Sequence, residues 1–541
     1  MANTLVTIEE IQGFKGKYPK QLWGLFFSEM WERFCFYGMR GVLTYFMVTH
    51  LILENGGHMT DSQANLQYGA TQAFVYAFTF IGGLFADKIL GFRKSLFWGG
   101  ILMIIGSAIL AFDPFPESNF FLGISFTVIG TGFFKPNIST MVGSLYKRGD
   151  SRRDAGFSMF YSGINIGALL GGYACISIGK GQLFSSFIPV EYAWNVAFGL
   201  AGIVMTISLV TFIFTQKTLG PIGLSPFRNE NDRIKKIPEA DSFGTIAPEP
   251  TTVSVTVKSG KAWYDYAVYA LTLLLIPVVM VMVAKTEYTD YFMYTIGPLT
   301  LLYLVYEMTK HTWEESRKLI AALVFILFSI IFWAFFEQSG GSLSLFAAKN
   351  LNNVVAGVFT LDPNGVNNAA NSVFVIIFAP IVGLVWIALA KKKIEPNTVV
   401  KFGLGFIFLA GGFYTFYTTR FFEVIAGSGI ASLDVFVVAY FIITFGELCL
   451  SPIGLSIMTK LSPQRLQGVM MGMWFLASAY GQYAAGILGA GLSEGGENDS
   501  LPQKLATYTD GYYQLAIYAL IAGIVLIAIS PLVRKLMQEV K

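Results

Sequence analysis

Glu29, Glu32, Arg33 and Arg40 all fall inside one apolar stretch, FFSEMWERFCFYGMRGVLTYFMV, residues 26–48. An ionisable side chain at mid-bilayer depth costs roughly 2.5–3.5 kcal/mol on insertion scales. Four of them need partners, a wet cavity, or both. At a turn of about 100° per residue, the four lie with Phe36 and Tyr37 in a sector of about 140° on one helix. Glu29 and Arg33 are i,i+4 neighbours. A static ion-pair cluster would hold helices together, but two acids and two arginines on one stripe suit groups that exchange protons and partners. Further charges stand isolated in apolar surroundings: Lys135 in GTGFFKPN (130–137) and Glu447 in TFGELCLSP (444–452). A buried lysine needs an acid, and the candidates are Glu29, Glu32 and Glu447. Glu337 sits with Gln338 at the end of an apolar run, where an ordinary surface acid is an alternative. Tyr161 and Asn165 share a helix face in MFYSGINIGALLGG (159–172) and can hydrogen-bond a substrate. Trp474 lies among small residues, as a pocket wall or as plain core.

These groups need long apolar elements to hold them. The 541 residues are 54% hydrophobic and only 13% charged, where a soluble protein carries about 25% charged residues. This is an all-α, polytopic membrane protein. Fourteen windows are long enough for a hydrocarbon core of about 30 Å: 22–50, 65–87, 95–112, 119–145, 155–178, 192–215, 264–284, 290–308, 318–338, 370–390, 401–419, 433–458, 466–490 and 511–533. With the N-terminus inside, interior segments hold 29 Lys and Arg and exterior segments 5. That asymmetry predicts both termini on the cytoplasmic side. The first 20 residues lack the apolar core of a signal peptide.

The polar, proline-bearing stretch 216–262 predicts a cytoplasmic linker between two bundles, and 338–368 an exterior connection. In GGLFADKILGFRKS (82–95), Asp87 can cap a helix end while Arg93 and Lys94 hold the turn at the membrane surface. Gly130 and Gly132, and Gly163, Gly167, Gly171 and Gly172, permit close helix approach. Cys35, Cys175 and Cys449 are all in apolar segments, so neither a disulfide framework nor a metal site is expected. His50, His58 and His311 are far apart, and no HExxH, GxSxG or phosphate loop with lysine occurs. No enzyme activity is expected. The net charge of +3 gives no sign of a nucleic-acid partner.

Taken in order, EMWERFCFYGMR, GTGFFKPN, FYSGINIG and GELCLSP, with the short loop between the first two, resemble the proton-dependent oligopeptide transporters of the major facilitator superfamily. The resemblance covers essentially the whole chain. It implies two six-helix bundles, 1–215 and 311–541, joined by the 216–262 linker and, as in bacterial members, by two additional transmembrane helices in 263–310. It further implies import of di- and tripeptides with protons across the bacterial inner membrane by alternating access, in a single chain, with no cofactor beyond the coupling proton.

Residue by residue, the resemblance assigns Glu29, Glu32 and Arg33, with Lys135, to proton coupling. Arg40 and Lys135 match groups associated with the peptide carboxylate, and Asn165, Asn371 and Glu447 those around its amine. Tyr37, Tyr68, Tyr161, Trp333, Ser451 and Trp474 match pocket walls or gates. Arg40 is expected to pair with Glu337 on the outer side and Lys135 with Glu447 on the inner side. Phe36 departs from the family's usual tyrosine, which removes one hydroxyl. A transporter of the same fold for nitrate or another small solute is the competing reading. A passive channel is disfavoured by acid–base pairs contributed from both bundles.

Overall fold

The structure, a computed structural model, describes residues 7–147, 150, 152–225, 263–450, 454–463, 466–493 and 499–538. Its long helices are α1 (Lys20–Thr49), α2 (Asp61–Phe85), α3 (Phe92–Phe112), α4 (Glu117–Ser144), α5 (Arg152–Gly179), α6 (Ala193–Gln216), α7 (Trp263–Ala284), α8 (Thr286–Met308), α9 (Trp313–Phe336), α10 (Pro363–Lys391), α11 (Thr398–Thr418), α12 (Leu433–Leu450), α13 (Gln467–Leu492) and α14 (Leu501–Met537). Ten membrane-crossing segments follow from length and composition alone. The helices outside that set, α1, α4, α8 and α13, are more polar or richer in small residues. The end of the molecule where α1 begins is called the near end below, and the opposite end the far end.

Two large apolar cores form, with a small third cluster of Ala73, Met293, Ala479 and Tyr483 where α2, α8 and α13 meet. One gathers residues from Ile11 to Val283, and the other residues from Leu304 to Met537. The fold is therefore two six-helix bundles, α1–α6 and α9–α14, with the α7–α8 hairpin beside them. Lipid is as apolar as leucine, so packing rather than water exclusion holds such helices together. Small residues supply it. A Cβ on Gly167 would lie 2.1 Å from the Met30 carbonyl oxygen, and one on Gly171 would lie 2.2 Å from that of Phe34. These glycines let α5 lie against α1 and close over its charged stripe. Gly132 does the same for α4 against Phe78 of α2, at 2.6 Å.

One leg of the hairpin is fastened to each bundle. On α7, Asp265 pairs with Lys94 at 2.8 Å, and Thr272 accepts from Trp98 Nε1 at 3.0 Å. Gln67 of α2 donates to the Ala284 carbonyl at 2.7 Å. On α8, Asp290 accepts from the Tyr483 hydroxyl at 2.5 Å, and the Met293 carbonyl accepts from Tyr480.

Charge pairs that join the bundles lie, among the described residues, at Arg40 and beyond it toward the far end. They are Arg40 with Glu337, Lys180 with Asp362, and Lys349 with Asp61 at 2.5 Å. Thr44 also donates to the Gly340 carbonyl across the seam at 3.0 Å, and Asn368 to that of Gly41 at 3.3 Å. The far end is closed.

Several sequence expectations need correction. The 338–368 connection is largely ordered: it holds a 3-10 turn at Glu337–Gly340, a helix at Ser342–Asn350 and a two-stranded hairpin pairing Val354–Val355 with Phe359–Thr360. Helix α10 starts at Pro363, seven residues before the predicted span, because Asp362 caps it through a 2.7 Å bond from Gly365 N–H. Helix α14 likewise begins at Leu501 behind a Ser500–Gln503 capping box. Polar caps lower the mean hydropathy of a window and hide such turns. Within the 433–458 span the described helices are α12, Leu433–Leu450, and a segment at Gly454–Leu461. Ser451 itself lies outside the described residues, as does most of the 216–262 linker.

Among the described residues Asp87 makes no capping bond. It lies in a π-helical turn, and Gly91, at φ 76°, ends that turn and opens α3. Arg93 instead donates to the carbonyls of Ile222 (2.7 Å) and Gly220 (2.5 Å) just beyond α6.

Candidate functional site

The charged stripe of α1 is fully internal. Glu29, Glu32 and Arg33 are 1%, 0% and 2% exposed. Arg33 Nε lies 3.1 Å from Glu29 Oε1 and also pairs with Glu32 Oε2. Glu29 Oε2, Glu32 Oε1 and Arg33 Nη2 are buried without a hydrogen-bond partner among the described residues. Two carboxyls thus share one guanidinium. With both ionised the cluster carries an excess negative charge, which a buried site tolerates poorly. One proton, or the approach of a further cation, makes it neutral.

Arg40, two turns along α1, faces the second bundle. Its Nε donates to the Tyr68 hydroxyl at 2.7 Å, while Nη2 pairs with Glu337 and reaches Ser339 Oγ at 3.3 Å. Its guanidinium lies 5.6 Å from the centre of the Tyr37 ring and 5.8 Å from that of Tyr68. This is a cation held by one acid and two aromatic faces. Glu337 is 5% exposed, so it is not a surface acid.

Glu447 of α12 is 7% exposed and bound from both sides. Tyr161 of α5 donates its hydroxyl to Oε1 at 3.1 Å, and Asn371 of α10 donates Nδ2 to Oε2 at 2.8 Å. Thr444 fixes the Asn371 amide by donating to its Oδ1 at 2.8 Å.

The expected Lys135–Glu447 pair is not made. Among the described residues Lys135 forms no ion pair, and its ammonium sits 4.3 Å from the centre of the Tyr76 ring. Glu447 is instead satisfied by neutral donors. Asn165 turns its amide onto the Tyr161 carbonyl of its own helix at 3.0 Å. Trp333 meets Phe332 and Phe336 edge to face, and Trp474 is 8% exposed in the second core. The structure thus brings together Arg40, Tyr37, Tyr68 and Glu337 as one group, and Tyr161, Asn371 and Glu447 as another.

Sequence reasoning passed over two features. Tyr76 supplies the face under Lys135. A stripe of asparagines, Asn364, Asn367, Asn368 and Asn371, runs down one face of α10 at spacings of three and four. Asn367 ties the Ser339 turn beside Arg40 to α12: it donates to the Ser339 carbonyl at 2.7 Å and accepts from the Tyr440 hydroxyl at 2.6 Å. Its signal was the i, i+3, i+4, i+7 periodicity, in a stretch that hydropathy assigns to a loop.

In chemical terms, the first bundle offers cations at Arg40 and Lys135, and the second an acid at Glu447. Aromatic and amide groups lie near both. A small zwitterion with separated charges suits that set.

Comparison with known proteins agrees with this architecture. The chain is 34% identical over 529 residues to the peptide transporter YePEPT of Yersinia enterocolitica, covering 96% of each chain. It is 32% identical over 535 residues to a di-/tripeptide transporter of Lactococcus lactis subsp. cremoris, covering 97% of each. A solved peptide transporter POT in complex with alafosfalin superposes with a TM-score of 0.75 at 31% identity, covering 99% of this chain and 100% of that one. A sequence profile of the POT family matches residues 93–501. The chain, a multi-pass membrane protein of the major facilitator type, belongs to the POT family of transporters.

Proposed function

We propose that this protein imports di- and tripeptides by symport with protons, through alternating access of a site between two bundles. The observation that carries the reading is the pair of opposed groups, Arg40 on the first bundle and Glu447 on the second, each held by partners that a ligand can replace. A peptide carboxylate would take the place of Glu337 at Arg40, with Lys135 as a second cation. A peptide ammonium would take the donors' place at Glu447, beside Asn371 and Asn165. Bridging both would draw the bundles together and release the far-end pair.

The Glu29–Glu32–Arg33 cluster is the proton-coupling element in this reading. A proton supplies the missing positive charge, and in its absence Lys135 can do so, which links loading of the cluster to the position of the lysine. Residues 1–215 and 311–541 are the two moving bodies, with 263–310 between them. The far end faces outside and both termini face the cytoplasm, in a bacterial inner membrane, as the 29 to 5 distribution of basic residues favours. One chain suffices, and no cofactor other than the proton takes part.

Uptake of labelled dialanine into proteoliposomes tests this directly. An inward proton gradient should drive accumulation above equilibrium, and nitrate should not compete. Accumulation that is indifferent to the gradient, or displaced by nitrate, sinks the reading.

A further inference from the structure

Helices α10 and α12 repeat one arrangement a turn apart. In each copy a hydroxyl on α12 donates to an asparagine carbonyl oxygen on α10, and the amide nitrogen of that asparagine donates onward. In the lower copy Thr444 donates to Asn371 Oδ1 at 2.8 Å, and Asn371 Nδ2 donates to Glu447 at 2.8 Å. In the upper copy Tyr440 donates to Asn367 Oδ1 at 2.6 Å, and Asn367 Nδ2 donates to the Ser339 carbonyl at 2.7 Å. The offset is four residues on both helices, about one turn. A carbonyl only accepts, so Nδ2 must face Ser339 and the Tyr440 hydroxyl must donate. Asn367 and Tyr440 are 1% and 2% exposed, so bulk water does not compete for these bonds.

The lower copy serves the site acid directly. The upper copy serves a backbone, the 3-10 turn Glu337–Gly340, and that turn touches both bundles. Toward the first bundle, Glu337 and Ser339 Oγ meet Arg40, and the Gly340 carbonyl accepts from Thr44. Toward its own bundle, Gln338 Nε2 donates to the Ala334 and Ala485 carbonyls at 3.1 and 3.0 Å, and Asn367 holds the Ser339 carbonyl. Glu337 is thus presented to Arg40 from a backbone that is pinned on the other side. We propose that Asn367, oriented by Tyr440, is a positioning residue that sets how strongly a peptide carboxylate must compete with Glu337 for Arg40, a role that rests on the peptide reading above. A turn already held in place loses little conformational freedom when its acid pairs, so Glu337 is a stronger competitor than a loose turn would make it. Freeing the Ser339 carbonyl weakens that competitor and leaves Arg40 more open to the ligand. The sign is diagnostic, because damage to ordinary packing around a site weakens binding.

Calorimetric binding of dialanine to the purified full chain tests this. Asn367→Ala removes the donor to Ser339. Tyr440→Phe keeps the ring among Phe416 and Phe436 and removes only the hydroxyl, so it carries the test if Asn367→Ala yields no folded protein. Each variant should bind dialanine about two- to tenfold more tightly than the parent, the range that one hydrogen bond gives. The double variant should match Asn367→Ala, because Tyr440 acts through that residue. In a Glu337→Gln background the gain should vanish, because the competing charge is already gone.

Weaker or unchanged dialanine binding in either folded variant overturns the proposal and leaves the upper copy as bundle packing. Gains that multiply in the double variant overturn the linkage of Tyr440 to Asn367. Tightening that persists at full size beside Glu337→Gln overturns the proposal too, since the gain would not pass through the acid that Arg40 holds. A parent protein that does not bind dialanine sinks the peptide reading and this role with it. A parent that binds, with variants that bind no better, sinks the role alone.

Discussion

Removing the Glu447 carboxyl strands two donors at once, the Tyr161 hydroxyl and the Asn371 amide. It also removes the anion proposed to meet the peptide amine. A hydrogen bond to a charged group contributes about 1.5–3 kcal/mol, so Glu447→Ala should weaken dialanine binding roughly 10- to 100-fold. Calorimetry on the purified protein checks this. Glu32 behaves differently, because it touches Arg33 rather than the ligand groups. Glu32→Gln should abolish gradient-driven uptake and leave peptide counterflow measurable. Loss of both at normal folded yield would make Glu32 a structural residue. Lys135→Ala should act like Glu32→Gln, since its ammonium forms no ion pair among the described residues and can answer the state of the cluster.

Helix contacts set how far such residues can be trusted to stay in place. Gly167 meets the α1 backbone at a distance that no side chain fits, whereas Gly383 on α10 has nothing within 4 Å. Gly167→Ala should therefore destabilise by about 1–3 kcal/mol through overpacking, and Gly383→Ala should be neutral or slightly stabilising. Thermal unfolding of the two variants gives the comparison. The same contrast explains what the sequence revealed. Charges in an apolar helix are rare enough to announce themselves, so Glu29, Arg33, Lys135 and Glu447 stood out, as did the glycine faces. The partner of each charge depends on how the bundles are tilted, which no local pattern encodes. Lys135 was therefore assigned to Glu447, while the structure gives Glu447 to Tyr161 and Asn371. The α10 asparagines were hidden because their polarity makes the start of a buried helix resemble a loop.

At the scale of the molecule, both halves of the site come from one chain: Arg40 and Tyr161 from the first bundle, Glu337, Asn371 and Glu447 from the second. Transport should then be a property of the single chain. Reconstitution at protein-to-lipid ratios that leave most vesicles with one chain or none should give the same uptake rate per chain as dense reconstitution. A rate that falls on dilution would point to cooperation between chains.

The α7–α8 hairpin has a consequence of a different kind. With one leg tied to Lys94 and Trp98 and the other to Tyr480 and Tyr483, it straddles the seam like a pair of calipers. In the proposed alternating-access cycle, a change in the angle between the bundles would alter the spread of the two legs, on whose surface Leu274 and Leu302 are 71% and 64% exposed. That proposed cycle would thereby be displayed on the protein's exterior. A pair of spectroscopic labels on those two leucines would follow it in real time, without a probe inside the cavity.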